Sequence, residues 1–286
     1  MTQNASISSE PRIWTCREVD LDYTASTLVM GILNVTPDSF SDGGCFYTPE
    51  QAVMQAIQLE KDGADIIDVG AESTRPGSEP LSADEELSRL IPTLKLISER
   101  VKVPLSIDTY KSKTAEQALS FGAAIINDVW GLQKDPDMAS VVASYRAGVV
   151  IMANYTDEKI FARHSTIVND CIAFFEKSAK IAENAGIKRE NILFDPGIGF
   201  GTDTNESLQL IRAIPLFQKE GYPQLIGASR KRFIGATLDG VPVEERDAGT
   251  LAVSLFCKQK KAAAVRVHNV HATVMGYKMQ DALEAE

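Results

Sequence analysis

Apolar residues in this chain gather into short runs, most of them closed by a polar side chain and followed by a stretch with helical spacing. The first is residues 28–33, Leu-Val-Met-Gly-Ile-Leu, closed by Asn34. A run that is apolar at every position, rather than at alternate ones, marks a strand buried on both faces. Comparable segments at 65–70, 104–107, 124–126, 149–152, 192–194, 224–226 and 264–267 predict seven more strands. Helices are predicted between them. Thr48-Pro-Glu supplies an N-cap with proline at the first helical position, and the spacing holds to Gly63. Ser82-Ala-Asp-Glu-Glu starts another, with acid in its first turn, to about residue 100. Further helices are expected over 113–121, from Asp135, over 168–184, and from the last strand to 283. Residues 13–20 read as a short strand or hairpin capping one end, and residues 1–10 as a disordered extension.

Eight strand–helix units in roughly 250 residues are the arithmetic of a (β/α)8 barrel. The expected fold is therefore an α/β TIM barrel with a short N-terminal extension, one domain over 1–286 without a linker. A doubly wound open sheet is the competing arrangement. Its dinucleotide-binding form has no support, because no Gly-x-Gly-x-x-Gly follows the first strand.

Charge narrows the partners. A net charge of −10 argues against general binding to nucleic acid or anionic membrane, so an anionic ligand would need a local basic cluster. Cys16, Cys45, Cys171 and Cys257 lie far apart and read as reduced thiols. There is no basic-then-apolar leader and no run long enough to span a bilayer, so the expected location is the cytoplasm.

Strand C-termini of a barrel share one mouth, and chemistry gathers there. The residues so placed are Asn34, Glu72, Asp108, Asn127, Asp128, Asp195, Lys231, Arg266 and His268. An Asp or Asn after a strand is often only the cap of the next helix, but capping does not require Lys231 or Arg266. Asp108, Asn127 and Asp195 would suit a heterocycle with adjacent N–H groups, such as a purine or a pterin. Met152 and Phe200 offer apolar walls, or ordinary core. Arg230-Lys231-Arg232 with Arg266 forms the local basic cluster, at the strand ends where this fold often holds phosphate, with one of the three consecutive residues expected on a solvated face, and Ser229 adds a hydroxyl. His268 and His271 lack a third soft ligand, so His268 is assigned to phosphate and His271 to the surface. Asn34 with pyrophosphate oxygens suits Mg²⁺. No serine elbow or Cys–His pair points to a nucleophile.

The segments Asn34-Val-Thr-Pro-Asp-Ser-Phe-Ser-Asp-Gly-Gly44, Glu72-Ser-Thr-Arg-Pro-Gly77, Asp108-Thr-Tyr-Lys111, Ile126-Asn-Asp128, Asp195-Pro-Gly-Ile-Gly-Phe200, Ser229-Arg-Lys231 and Arg266-Val-His268 closely resemble the dihydropteroate synthase family, in order and from residue 28 to the last helix. The resemblance implies a (β/α)8 barrel that joins 6-hydroxymethyl-7,8-dihydropterin pyrophosphate to p-aminobenzoate, releasing pyrophosphate. It implies pterin contacts at Asp108, Asn127, Asp195 and Lys231, with Val129 and Met152 as apolar neighbours. It implies pyrophosphate contacts at Asn34 through Mg²⁺, at Arg266 and at His268. Phe40, Thr74, Pro76, Ser229 and Lys231 would frame aminobenzoate, Arg75 would support two closing loops, and the protein would be a homodimer and a sulfonamide target. The chain departs from the family pattern at Ala153 (commonly His), Ala71 (Gly), Ala228 (Thr) and Asn269 (Asp). Two other readings compete. A methyltetrahydrofolate methyltransferase barrel should lack the 34–44 and Ser229-Arg-Lys231 segments. A non-catalytic pterin-binding paralogue would not need Asn34, Arg266 and His268.

Overall fold

The computed structural model describes residues 11–35, 48–72 and 80–285. Expectations that fall on 1–10 lie outside them. Eight parallel strands form the central sheet: β3 (Leu28–Asn34), β4 (Ile66–Gly70), β5 (Leu105–Asp108), β6 (Ile125–Asp128), β7 (Gly148–Met152), β8 (Ile192–Asp195), β9 (Leu225–Ile226) and β10 (Ala264–Val267). Their order is β8-β7-β6-β5-β4-β3-β10-β9. The ends meet where Phe194 bridges Gln224 and the Phe194 N–H donates to the Pro223 carbonyl at 2.8 Å. This is the predicted (β/α)8 barrel, with strand limits within about two residues of those read from the apolar runs.

Helices α1 (Pro49–Lys61) and α2 (Ala83–Ser98) start where predicted, each with a capping box, Thr48 with Gln51 and Ser82 with Glu85. Helices α3 (Ser112–Ser120), α4 (Met138–Tyr145) and α5 (Ile167–Ala185) follow. Helix α4 begins later than Asp135 because that carboxylate accepts from the Ser112 N–H at 2.7 Å and the Asp137 N–H at 3.0 Å, anchoring a loop instead. Four helices escaped individual prediction: α6 (Thr204–Arg212), α7 (Ile214–Lys219), α8 (Arg232–Thr237) and α9 (Asp247–Gln259). The last, α10 (Val270–Glu284), ends close to the expected position.

Alternation along each strand sorts the apolar residues into two cores. Outward-facing Val29, Ile67, Val69, Ile107, Ile126 and Ile151 pack under the helices. Inward-facing Met30, Ile66, Ile125, Val150, Leu193 and Leu225 fill the barrel's lower interior. That lower end is closed by an antiparallel hairpin of β1 (Ile13–Cys16) and β2 (Val19–Asp22), the predicted cap. Its Trp14 is 1 % exposed and donates from Nε1 to the Asn191 carbonyl at 2.9 Å. With the floor sealed, polar interior positions remain only at the opposite, C-terminal end.

Candidate active site

Register brings the predicted strand-end residues side by side. Asn34 pairs with Gly70, Gly70 with Asp108, Asp108 with Asn127, and Met152 with Asp195. Partners in register point to the same face, so these side chains line one mouth. Asp128, one residue after Asn127, must face the other way. It is 1 % exposed and accepts from the Trp130 and Leu132 N–H groups at 2.8 and 2.7 Å, shaping the loop after β6. Glu72 also leaves the mouth. It pairs with Lys111, accepts from Tyr110 at 3.1 Å, and so braces neighbouring loops.

The centre of the mouth is a residue that the strand-end reading passed over. Asp68, in the middle of β4 and 0 % exposed, accepts from Arg266 Nε at 2.6 Å, Ser106 Oγ at 2.6 Å and Asn127 Nδ2 at 3.2 Å. Its signal in the sequence was an ionisable group inside an apolar run, Ile66-Ile-Asp-Val69. Arg266 starts low on β10, opposite Met30, and its long side chain climbs to Asp68 and then to Asp108 Oδ2 at 3.0 Å. The second oxygen, Asp108 Oδ1, is buried with no hydrogen-bond partner among the described residues. Burial pushes the Asp108 carboxyl up to about 7, against the pull of Arg266 and with Asp68 adding to the rise.

Across the mouth, Asp195 ends β8 and accepts from the Gly197 N–H at 2.8 Å. Burial raises its pKa, opposed chiefly by the charge of Lys231. The Lys231 ammonium donates to the Ile198 carbonyl and lies 4.6 Å from the centroid of the Phe200 ring. Burial brings this lysine down to about 8, with Asp195 opposing. Glycine at 227 keeps the gap open, since a Cβ there would sit 3.3 Å from Asp195 Oδ2 and 4.0 Å from Lys231 Nζ. Gly197 is needed for two reasons: its φ is +69°, and a Cβ would fall 1.7 Å from the Ala153 carbonyl oxygen. Ala153, the departure from the family's histidine, is fully buried, and its N–H donates to the Asp195 carbonyl at 2.9 Å. Met152 and Val129 are buried at the ends of their strands.

The tribasic stretch does not stay together. Arg230 turns to Asp247 as a bidentate pair (2.6 and 2.8 Å), Arg232 is exposed at the start of α8, and only Lys231 faces Asp195. Ser229 and His268 do meet: Ser229 Oγ lies 2.9 Å from His268 Nδ1 and accepts from the His268 N–H at 3.1 Å. Asn269 donates to Asp247 at 3.0 Å and caps α10 through Ala272, which ties the exits of β9 and β10 together. His271 is a surface residue, 68 % exposed. Phe40, Thr74, Arg75 and Pro76 lie outside the described residues.

For a metal, the relevant oxygen is Asn34 Oδ1, since Asp108 Oδ2 is taken by Arg266. A Cβ at Gly70 would be 3.7 Å from Asn34 Oδ1, so the missing side chain leaves room beside it. A hard oxygen donor that leaves most positions to phosphate and water fits Mg²⁺.

Known proteins resemble the chain in both sequence and fold. The sequence profile described as pterin binding enzyme matches residues 30–268. The dihydropteroate synthase of Bacillus subtilis is 46% identical over 263 residues, 92% of this chain and 90% of that one. Among solved structures, Xanthomonas albilineans dihydropteroate synthase with 4-aminobenzoic acid superposes at a TM-score of 0.90 with 38% identity, covering 97% of this chain and 100% of that one. The same organism's enzyme in complex with 7,8-dihydropteroate gives 0.85 and 36%, covering 96% and 99%. The chain belongs to the pterin binding enzymes, as a transferase of the dihydropteroate synthase family.

Proposed function

We propose that the chain condenses 6-hydroxymethyl-7,8-dihydropterin pyrophosphate with p-aminobenzoate to give 7,8-dihydropteroate and pyrophosphate. The observation that carries this reading is the acceptor edge of Asp108, Asn127 and Asp195, the last two buried, with the buried Oδ1 of Asp108 lacking a donor among the described residues. A buried acceptor left unsatisfied costs about 1–3 kcal/mol, and the adjacent N–H groups of a pterin remove that cost. The complexes of the Xanthomonas albilineans relative with 4-aminobenzoic acid and 7,8-dihydropteroate support the second substrate and the product.

Two bonds change. The bond from the pterin methylene to the pyrophosphate oxygen breaks with its electron pair on oxygen. The aminobenzoate nitrogen bonds to the methylene and then releases a proton. Positive charge grows on the methylene as the first bond lengthens, and Asp108 and Asp195, fixed in a dry mouth, offset it without reorganising. Lys231 opposes protonation of Asp195, and Phe200, Met152 and Val129 supply apolar surface to the ring. Two of the five N–H donors of Arg266 engage Asp68 and Asp108, which leaves capacity for phosphate oxygens. His268, held by Ser229, is assigned to the same leaving group. Mg²⁺ at Asn34 would supply Lewis-acid neutralisation of the departing pyrophosphate. Ser229 is assigned to aminobenzoate with Phe40, Thr74 and Pro76, and Arg75 to the support of their loops; the last four roles rest on the resemblance alone. The amine is a neutral nucleophile that needs position more than activation.

The deciding measurement is pyrophosphate release from the dihydropterin pyrophosphate with Mg²⁺, with and without p-aminobenzoate. Release that depends on the amine, with dihydropteroate formed in step, is the expected result. Tight pterin binding without turnover would establish the non-catalytic paralogue instead.

We infer also that the protein works as a homodimer in the cytoplasm. Met275, Met279 and Leu283 form an exposed apolar stripe on α10, at 51, 58 and 74 % exposure. Cys16, Cys171 and Cys257 are free thiols, and no helix among the described residues is long and apolar enough to cross a membrane. Met279→Glu should halve the mass seen by sedimentation equilibrium; a wild-type monomer would sink this assignment.

A further inference from the structure

We propose that Asp68 is a positioning residue that sets the direction of the hydrogen bonds at the mouth and thereby selects ligands that present adjacent N–H donors. The proposal rests on the reading of the site as a pterin site. Asp68 precedes Gly70 by two residues, so it shares the inward face one layer below Asn34, Asp108 and Asn127. Both its oxygens are engaged: Oδ1 by Ser106, Oδ2 by Arg266 and Asn127.

An ionised carboxylate only accepts. The Asn127 amide therefore has one permitted orientation, with its NH₂ down toward Asp68 and its carbonyl oxygen turned to the mouth. Flipping it would set two oxygens 3.2 Å apart. Asn127 alone offers both a donor and an acceptor, and Asp68 makes it an acceptor. Arg266 is fixed in the same way. Held by its Nε, it reaches only Oδ2 of Asp108 and leaves Oδ1 without a donor among the described residues. The outcome is three acceptors in succession, from Asp108, Asn127 and Asp195. An amide at 68 would carry an NH₂ of its own, and Asn127 could then turn either way. Ser106, by occupying Oδ1, stops the Asp68 carboxylate from rotating.

The test is a double-mutant cycle read by calorimetry with 6-hydroxymethylpterin as the probe. Asp68→Asn should bind it at least 30-fold more weakly than wild type, with the KM for p-aminobenzoate within twofold. Because part of the effect runs through the amide and the rest through Arg266, Asp68→Asn added to Asn127→Ala should cost less than tenfold beyond Asn127→Ala alone, against at least 30-fold in the wild-type background. Additive losses would overturn the proposal, as would equal damage to aminobenzoate. Should Asp68→Asn fail to fold, Ser106→Ala takes its place, with a three- to tenfold loss that Asn127→Ala absorbs; no loss, or one independent of Asn127, overturns the proposal equally. A wild-type chain that does not bind the pterin sinks the proposed reaction and this role with it. Wild-type binding with additive variants sinks the role alone.

Discussion

Lys231→Ala is expected to lower kcat/KM for the dihydropterin pyrophosphate by on the order of 10²- to 10³-fold while the circular dichroism melt stays within a few degrees of wild type. Lys231 is the principal opposing charge on Asp195. Removing one preorganised electrostatic group from a dry site costs about 2.7–4 kcal/mol in the transition state, and each 1.4 kcal/mol or so is a factor of ten; the fold is spared because Asp195 keeps the Gly197 N–H and can take up a proton. Without the lysine, only the Gly197 N–H and the more weakly acting Arg266 charge oppose burial, so the Asp195 carboxyl rises further and is more readily protonated and lost as an acceptor. The pH profile gives a second readout. Lys231 is charged below about 8 and neutral above, so wild-type kcat/KM should fall as pH rises through that value. The same limb should be missing from the alanine variant. An unfolded variant would make the lysine structural, and a persistent limb would assign the titration to another group.

Gly197→Ala should be the most damaging single methyl in the site. The left-handed φ of +69° costs a non-glycine residue about 1–2 kcal/mol, and the new Cβ would have to displace the Ala153 carbonyl from a separation of 1.7 Å. That crowding adds about 1–3 kcal/mol. A loss near 3 kcal/mol lowers Tm by roughly 6–12 °C at this chain length. Because the Gly197 N–H donates to Asp195, pterin affinity should fall at least 100-fold as well. Gly186→Ala is the control. Its φ is +87° with nothing within 4 Å of a Cβ, so it bears the conformational cost alone. Equal melting losses in the two variants would remove the Ala153 contact from the explanation.

Asn34, Asp108, Asn127 and Asp195 were legible in the sequence because each interrupts an apolar run at its end, and parallel strands put those ends together. Asp68 was missed for the opposite reason: it interrupts a run in the middle, where the interior of a barrel is normally apolar. Asp128 was over-read, since it adjoins Asn127 and alternation turns it outward. Of the triplet at 230–232 one side chain was expected in solvent, and Arg232 is; Arg230 was not expected to leave, but successive side chains around a strand-to-helix turn diverge, and Asp247 draws it away. Helices α7 and α8 are six residues each, too short for a 3.6-residue period to declare itself.

The hairpin that floors the barrel carries a consequence for synthesis. Trp14 is translated early, but the carbonyl that receives its indole belongs to Asn191, 177 residues further on. At about 5–20 residues per second, the tryptophan waits roughly 10 to 35 seconds for its partner. Throughout that interval the nascent hairpin carries an aromatic face with nothing to cover it, and the lower mouth of the half-made barrel stands open. Trp14 is thus one of the groups that a chaperone would have to shield on the emerging chain.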